Sequence, residues 1–440
     1  MRTNVPVSHV RPLTHEGAPA RRFTPLAELR RAVLGAFLFE DAFYEPGAGI
    51  AARVAALVPQ VDPRTVVALA VEARQRMYLR HVPLFLVREL ARLKGNGTLV
   101  ADALEAVIER PDELTEYLAL YWKGQAEAEK SPLSAGSKRG LARAYRKFQA
   151  RALAKYDRDS IVKLRDVLRL VHPVPTDAEQ AEAWQHVIAR DLPSPDTWEV
   201  ALSAGADKKA TFERLLAERK LGGLAFLRNL RTMIAVGVEP ALIRARFAGS
   251  FARVLPFRFI AALRYAAAFA PELNEAMLRA VAGMPRLAGR TVVLVDVSGS
   301  MDGQLSARSE MRRVDVASGL AVLARELGDV RVFSFSDHLR EVPAHRGLAL
   351  ADAIQRSQAH SSTQLGAALE ALHRSVAYER ILVVTDEQSH DRVGPPQGLG
   401  YVINVAAYRH GVGDGDWVRI DGWSERVLDY VIALESETGA

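Results

Sequence analysis

The chain has 440 residues, 49% of them hydrophobic and 25% charged, with no cysteine and a formal net charge of +6. That length exceeds one ordinary core and implies at least two domains. The absent cysteines exclude disulfides and thiolate metal sites, and no apolar run is long enough for a bilayer. The opening stretch "MRTNVPVSHVRPLTHEGAPARR" lacks the continuous apolar segment of a secretory signal. A cytoplasmic protein with no membrane partner is therefore expected. Charge is divided unevenly. Residues 1–285 carry 42 Lys and Arg against 31 Asp and Glu, whereas the remainder carries 16 against 21 and has no lysine. A basic body joined to an acidic module points to a polyanion partner for the first part.

Residues 1–23 read as an N-terminal extension. From Thr24 to about Gly283 apolar residues recur every three or four positions, as in "LAELRRAVLGAFLF", "RTVVALAVEARQRMYL", "PLFLVRELARL" and "FIAALRYAAAF". This is the spacing of amphipathic helices. Breaks such as "KGNG" at 94–97, "RPDE" at 110–113, "HPVPTD" at 172–177 and "GVEP" at 237–240 supply caps and N-terminal prolines. Roughly a dozen helices with no strand between them suggest an all-α repeat array over 24–285. No strict repeat period is visible, so an open array, a closed one or a compact helical domain all suit the pattern.

The pattern changes after "GMPRLAGR" at 283–290. Over 286–440, β-branched runs such as "TVVLVDV", "VRVFSFS", "ERILVVTD" and "YVINVAAY" alternate with helical stretches such as "RVDVASGLAVLAREL", "LADAIQRS", "QLGAALEALHRSV" and "SERVLDYVIAL". Near-continuous apolar strands separated by helices predict a doubly wound α/β domain with a parallel sheet covered on both faces.

In such folds sites form outside the carboxyl ends of the strands. Asp296 ends the first strand, Ser298 and Ser300 follow at two and four residues, Asp386 ends another strand, and Thr363 precedes a helix in "SSTQLG". Two carboxylates and three hydroxyls suit Mg²⁺ or another hard divalent cation, with positions left for an outside oxygen ligand. "DVSGS" lacks the flanking glycines of a nucleophile elbow. His390, four residues after Asp386, reads as an exposed loop residue. With no catalytic constellation and no phosphate-binding Gly-Lys-Ser/Thr loop, a non-enzyme is expected.

The module carrying "DVSGS", Thr363 and Asp386 resembles the von Willebrand factor A family, whose metal-ion-dependent adhesion site those residues match. Ser361-Ser362-Thr363 stands where that family has a Gly-Gly-Thr-like loop.

Between Ser137 and His172 the chain holds eleven Lys and Arg against three Asp. Lys138, Arg139, Arg143, Arg146 and Lys147 follow helical spacing and can form a ridge, with Leu141, Ala144, Tyr145 and Phe148 partly inward. Lys155, Tyr156, Arg158 and His172 lie near the ends of the next helices. Such a ridge with a few rings suits RNA phosphates and exposed bases, although many charged helix faces are merely solvated.

The whole chain resembles the TROVE-domain Ro ribonucleoprotein family through "HEGAPA" at 15–20, "KFQARALAKYDRD", "VKLRDVLRLVHPVP", "SPDTWEVAL" at 194–202 and "LAFLRNLRTM" at 224–233, followed in order by "DVSGSM". The resemblance implies HEAT-like repeats closed into a ring by the A-type domain. It also implies a small noncoding Y-like RNA on the outer basic surface and single-stranded ends of misfolded or decaying RNA in the central hole. Family positions for Y RNA contact match Lys155 and His172, and Arg158 replaces a family arginine that falls at or beside Asp159. A monomeric RNA-binding scaffold in RNA quality control, with an exoribonuclease as a partner, is the expected function. The alternative is a metal-dependent adaptor that docks a partner ATPase or nuclease without binding RNA.

Overall fold

The computed structural model describes residues 24–34, 47–76, 79–123, 130–157, 160–193, 196–252, 254–305, 310–406, 412, 417–421 and 427–438. The N-terminal extension and Arg158 lie outside the described residues. Among the described residues sixteen α-helices precede the first strand. They begin with α1 (Pro25–Leu34), α2 (Gly47–Leu57), α3 (Pro63–Gln75), α4 (His81–Arg92), α5 (Gly97–Val107) and α6 (Pro111–Tyr121). Next come α7 (Ala135–Tyr145), α8 (Ala150–Tyr156), α9 (Leu164–Val171), α10 (Ala178–Ala189) and α11 (Trp198–Ser203). The series ends with α12 (Lys208–Ala217), α13 (Gly223–Ala235), α14 (Pro240–Phe247), α15 (Pro256–Leu263) and α16 (Ala270–Val281).

Of the breaks read from sequence, "HPVPTD" supplies a side-chain cap, where Asp177 accepts the Gln180 amide at 2.8 Å. Outside those breaks, Asp62 accepts the Arg64 and Thr65 amides at 3.0 and 3.1 Å ahead of Pro63. Each satisfies helix N–H groups that lack an intrahelical acceptor. Glu113, fully buried in the first turn of α6, accepts the Glu109 and Arg110 amides and pairs with Arg74 at 2.8 Å. This buried pair locks α3 to α6.

One core of the array runs from Leu29 to Val187. Within it α5 and α7 meet almost backbone to backbone. A Cβ on Gly136 would lie 2.5 Å from the Gly97 carbonyl oxygen, and one on Gly140 would lie 2.9 Å from Ala101 Cα. The second core starts at Phe212 in α12 and continues without a break into the α/β domain as far as Val431. The break after Pro285 is therefore a change of secondary structure and charge, not of core.

The α/β domain holds β1 (Arg290–Asp296), α17 (Arg313–Leu327), β2 (Asp329–Phe335), β3 (Leu339–Glu341), α18 (Gly347–Gln355), α19 (Leu365–Ser375), β4 (Arg380–Thr385), β5 (Leu399–Asn404), β6 (Trp417–Asp421) and α20 (Val427–Thr438). The strand order is β3-β2-β1-β4-β5-β6. All pairs are parallel except β2 with β3. The expected parallel sheet thus carries one antiparallel edge strand, because Phe335 and Leu339 are joined by three residues, too few for a crossover. Strand β6, "WVRID", is absent from the sequence-based expectation, and α1 lies against it. Along β1, Val293 and Val295 face the core shared with the array, while Val292 and Leu294 face the opposite core with α19. Both faces are covered, as expected.

Array and sheet are fastened at named points. Phe257 of α15 packs on Gly319 of α17, and Asn274 of α16 accepts the Leu348 amide at 2.9 Å. Gly347 has φ +60°, and a Cβ there would lie 2.1 Å from Asn274 Oδ1, so only glycine fits. No helix among the described residues is long and apolar enough to cross a membrane.

Replacing Gly136 with valine drives a side chain into the α5 backbone, which cannot move aside. We expect Gly136→Val to destabilise the protein by about 1–3 kcal/mol, read as a lowered urea midpoint.

Candidate functional site at the strand ends and the basic helix face

Parallel pairing of β1 with β4 sets their carboxyl ends side by side at the point where the strand order reverses. Asp296 is fully buried there, and Ser298 is 1% exposed. The Ser298 amide donates to Asp296 Oδ1 at 2.9 Å, and Thr385, the last residue of β4, donates its hydroxyl to Asp296 Oδ2 at 2.6 Å. Ser298 and Ser300 hydroxyls lie 3.3 Å apart, and Ser300 hydrogen-bonds the buried Asp386 carboxylate. Four of the five residues expected at the site thus form one connected cluster.

The loop that carries Thr363 lies against the turn after β1. The Gly299 amide donates to the Ser361 carbonyl at 3.0 Å, bringing the two loops into contact. Ser361 and Ser362 turn their hydroxyls to Asp337, the latter at 2.5 Å, and these bonds hold the Asp337 carboxyl below its usual range. Thr363 itself is 4% exposed, and its backbone is tied to His390, whose Nδ1 accepts the Thr363 amide at 3.2 Å. His390 is exposed, as expected, and serves as a loop tie.

Burial raises both carboxyls. Asp296 is pushed up to about 7, first by loss of water and then by the Asp386 charge; Asp386 is raised by burial, against the pull of Ser300 and Arg313. Two features were not legible in the sequence. Arg313, in the first turn of α17 and 3% exposed, places Nη1 3.1 Å from Asp386 Oδ2 and 3.3 Å from the Ser300 carbonyl. Glu387, fully buried beside Asp386, has φ +60° and accepts the Asn404 side chain at 3.0 Å, a strained backbone held at the edge of the crevice.

Among the described residues no group of three or more His, Cys, Asp or Glu is placed to hold a metal. The cluster fits a hard cation of a different kind, with few charged ligands and several hydroxyls.

The basic segment divides in two. Lys138, Arg139 and Arg146 are exposed and form no ion pair among the described residues. Arg143 instead pairs with Asp102 at 2.8 Å and Glu105 at 3.5 Å, and Lys147 Nζ donates to the Glu105 and Ile108 carbonyls at 2.6 and 2.5 Å. Burial lowers the Lys147 ammonium. These two cations contact α5 and its C-terminal end.

Two of the rings turn fully inward. Tyr145 is fully buried edge-on to Trp184 at 5.4 Å, and Phe148 is buried, so neither can stack on a base. Tyr156 carries Arg110 at 4.7 Å and Lys155 at 5.6 Å from its ring centre. Lys155 and Tyr156 border a cleft of about 1110 Å³ between α8, α11 and the start of α13, with Trp198 on the facing side. His172 caps α9 in the left-handed conformation, φ 46°, with its side chain exposed.

These features define a class: a helical array sharing its core with a doubly wound domain that gathers oxygen ligands at its switch point. Residues 189–281 match the TROVE domain family model. That stretch of the helical array is similar to a TROVE domain. The crystal structure of the Deinococcus radiodurans Ro (RSR) protein matches with 18% identity over 93% of this chain and 99% of that chain, at a TM-score of 0.59, so the two share a fold. An aerotolerance-related membrane protein from Bacteroides fragilis matches with 16% identity over 27% of this chain and 67% of that chain, at a TM-score of 0.21. No curated protein sequence matches the chain.

The raised Asp296 carboxyl makes stability depend on pH with a definite sign. Between the usual aspartate value and about 7 the folded state keeps a proton that the unfolded chain has released, so stability falls as pH rises through this window and levels off above it. Asp296→Asn should raise the metal-free melting temperature at pH 8 and raise it less at pH 5, as followed by circular dichroism.

Proposed function

We propose that this protein is the RNA-binding scaffold of a Ro-type ribonucleoprotein. Its helical array takes a small noncoding Y-like RNA and the single-stranded ends of misfolded or decaying RNA, and the protein acts in RNA quality control. The observation that carries this reading is the exposed set Lys138, Arg139 and Arg146, which keeps its charge available while neighbouring cations are consumed by α5. Phosphate contacts from such side chains release counterions, giving broad selectivity and marked salt dependence. Lys155 and His172 extend the contact surface, Lys155 from the rim of the α8–α11 cleft. The helices are read as HEAT-like repeats in a ring, supported by α1 lying against β6. The protein is read as a cytoplasmic monomer without catalytic activity of its own.

The α/β domain is read as a von Willebrand factor A module in which Asp296, Ser298, Ser300, Thr363 and Asp386 would hold Mg²⁺. When bound, the ion supplies an open coordination position for an oxygen from outside, such as a carboxylate of a partner exoribonuclease. Arg313 offsets one of the two carboxylate charges, which weakens the crevice's own hold on a cation and leaves more of the affinity to the incoming anion. The pinning of Arg143 and Lys147 favours the second reading, an adaptor that docks a partner ATPase or nuclease and binds no RNA.

A filter-binding titration with a structured RNA separates the two. Reversing Lys138, Arg139 and Arg146 to glutamate should weaken binding and flatten the slope of log affinity against log salt by about 2 to 3. An unchanged slope selects the adaptor. Calorimetry tests the metal: Asp296→Ala should abolish Mg²⁺ binding, Arg313→Gln should strengthen it, and both should leave RNA affinity largely unchanged. Loss of RNA binding by a folded Asp296→Ala protein would refute the division of labour.

A further inference from the structure

A cleft of about 770 Å³ opens between the end of α12, the start of α13, and α14 with the loop that follows it. Its walls are aliphatic or bare: Leu216, Leu221 and Leu242 stand among alanines and glycines. Arg219 and Arg246 are the charged residues among the described lining, and no acidic side chain accompanies them. Gly222 and Gly223 bring the positive end of the α13 dipole to the same wall, which adds to the field of the two cations.

Arg246, in the last turn of α14, is held by backbone and rings. Its Nε donates to the Leu221 carbonyl at 2.8 Å and its Nη2 to the Ser250 carbonyl at 3.2 Å. The guanidinium lies 4.9 Å from the Phe251 ring centre and 5.5 Å from that of Phe226. The third nitrogen, Nη1, is buried and has no hydrogen-bond partner among the described residues. Gly249 stands beside it without a side chain, and a Cβ there would lie 2.6 Å from Nη1. Burial lowers the Arg246 guanidinium, and no carboxylate among the described residues offsets the lost water. A buried N–H without an acceptor is costly, the more so on a charged group, and an entering oxyanion recovers that cost.

Arg219 follows the end of α12 at φ +54°, a backbone that favours glycine, and its side chain is exposed. It forms no ion pair among the described residues. The acids nearest in sequence are already engaged: Glu218 meets Lys220 at 2.8 Å and Arg214 at 3.0 Å. Two guanidiniums thus address one concavity that supplies them with no counter-charge, and guanidiniums bind carboxylates and phosphates through paired N–H donors.

The walls define the rest of the ligand. An aliphatic cleft of this size with a few convergent polar groups is the common form of a small-molecule site. A nucleic-acid strand matches it poorly, because no aromatic ring lines the cleft for a base to stack on and two cations cannot follow a run of phosphates.

We propose that the α12–α14 cleft binds a small amphiphilic anion, an aliphatic carboxylate or phosphate monoester. Its head lies between Arg219 and Arg246, and its chain runs along Leu216, Leu221 and Leu242. The site is independent of both the RNA-binding and the metal readings above.

The test is calorimetry of the full chain with octanoate and with octyl phosphate, each below its micellar concentration. At least one should bind with a stoichiometry of one, and the tighter of the two identifies the head group. Because Arg246 also fastens two carbonyls, its replacement endangers the fold, so the test turns on two exposed positions. Arg219→Gln should weaken binding by about tenfold through loss of a charge-assisted hydrogen bond. Ala245→Trp, which fills the cleft and leaves both arginines in place, should weaken it by at least about tenfold. Each variant is first checked for an unchanged melting temperature.

No binding of either amphiphile, or binding unaltered in both folded variants, overturns the proposal. Octanol binding as tightly as octyl phosphate shows that the arginines play no part, and inorganic phosphate binding as tightly shows that the aliphatic wall plays none; either result sinks it. Displacement of octyl phosphate by an equal concentration of a ten-nucleotide oligouridylate assigns the cleft to nucleic acid and overturns it as well.

Discussion

Pairing of β1 with β4, in register from Thr291 opposite Arg380 to Val295 opposite Val384, brings the carboxyl ends of two strands together at the reversal point of the sheet. The consequences are electrostatic. Asp296 and Asp386 are forced into one water-poor space, where each opposes ionisation of the other and burial opposes both. The serine hydroxyls, Thr385 and Arg313 all act to reduce that cost.

The same register depends on apolar packing that begins outside the domain. Phe257 and Phe259 of α15 belong to the core that also contains Val293 and Val295 of the central strand. Arg264 and Asn274 add polar fastenings to α17 and to the start of α18. A helix of the array therefore helps to set the position of the strand that carries Asp296. One continuous interior thus runs from the rear helices of the array into the sheet.

Much of this organisation could be read from residue order because it is local. The alternation of β-branched runs with helices located the α/β domain, and "RVDVASGLAVLAREL" spans the helix α17 from end to end. The oxygen cluster was legible because strand ends announce themselves by a stop in the apolar pattern. What escaped was set by contacts between distant parts of the chain. Arg143 looked like its neighbours until Asp102 and Glu105, some forty positions earlier, were found against it. Arg313 is an ordinary helix residue in the sequence and gains meaning only from Asp386, 73 positions away. The short strand β6 has too few residues to signal itself.

The unbroken interior from Phe212 to Val431 bears on how the molecule can be divided. The charge step after Pro285 invites a cut there, yet such a cut would bare the aromatic side of α15 on one fragment and the matching flank of α17 on the other. Each large side chain so exposed forfeits about 1.5–3 kcal/mol, and two sticky halves would result. The natural seam lies earlier, between Val187 and Phe212, where one core ends and the next begins. In its architecture the molecule is a helical front joined to a mixed rear body, with the joint some eighty residues upstream of the place where its composition changes.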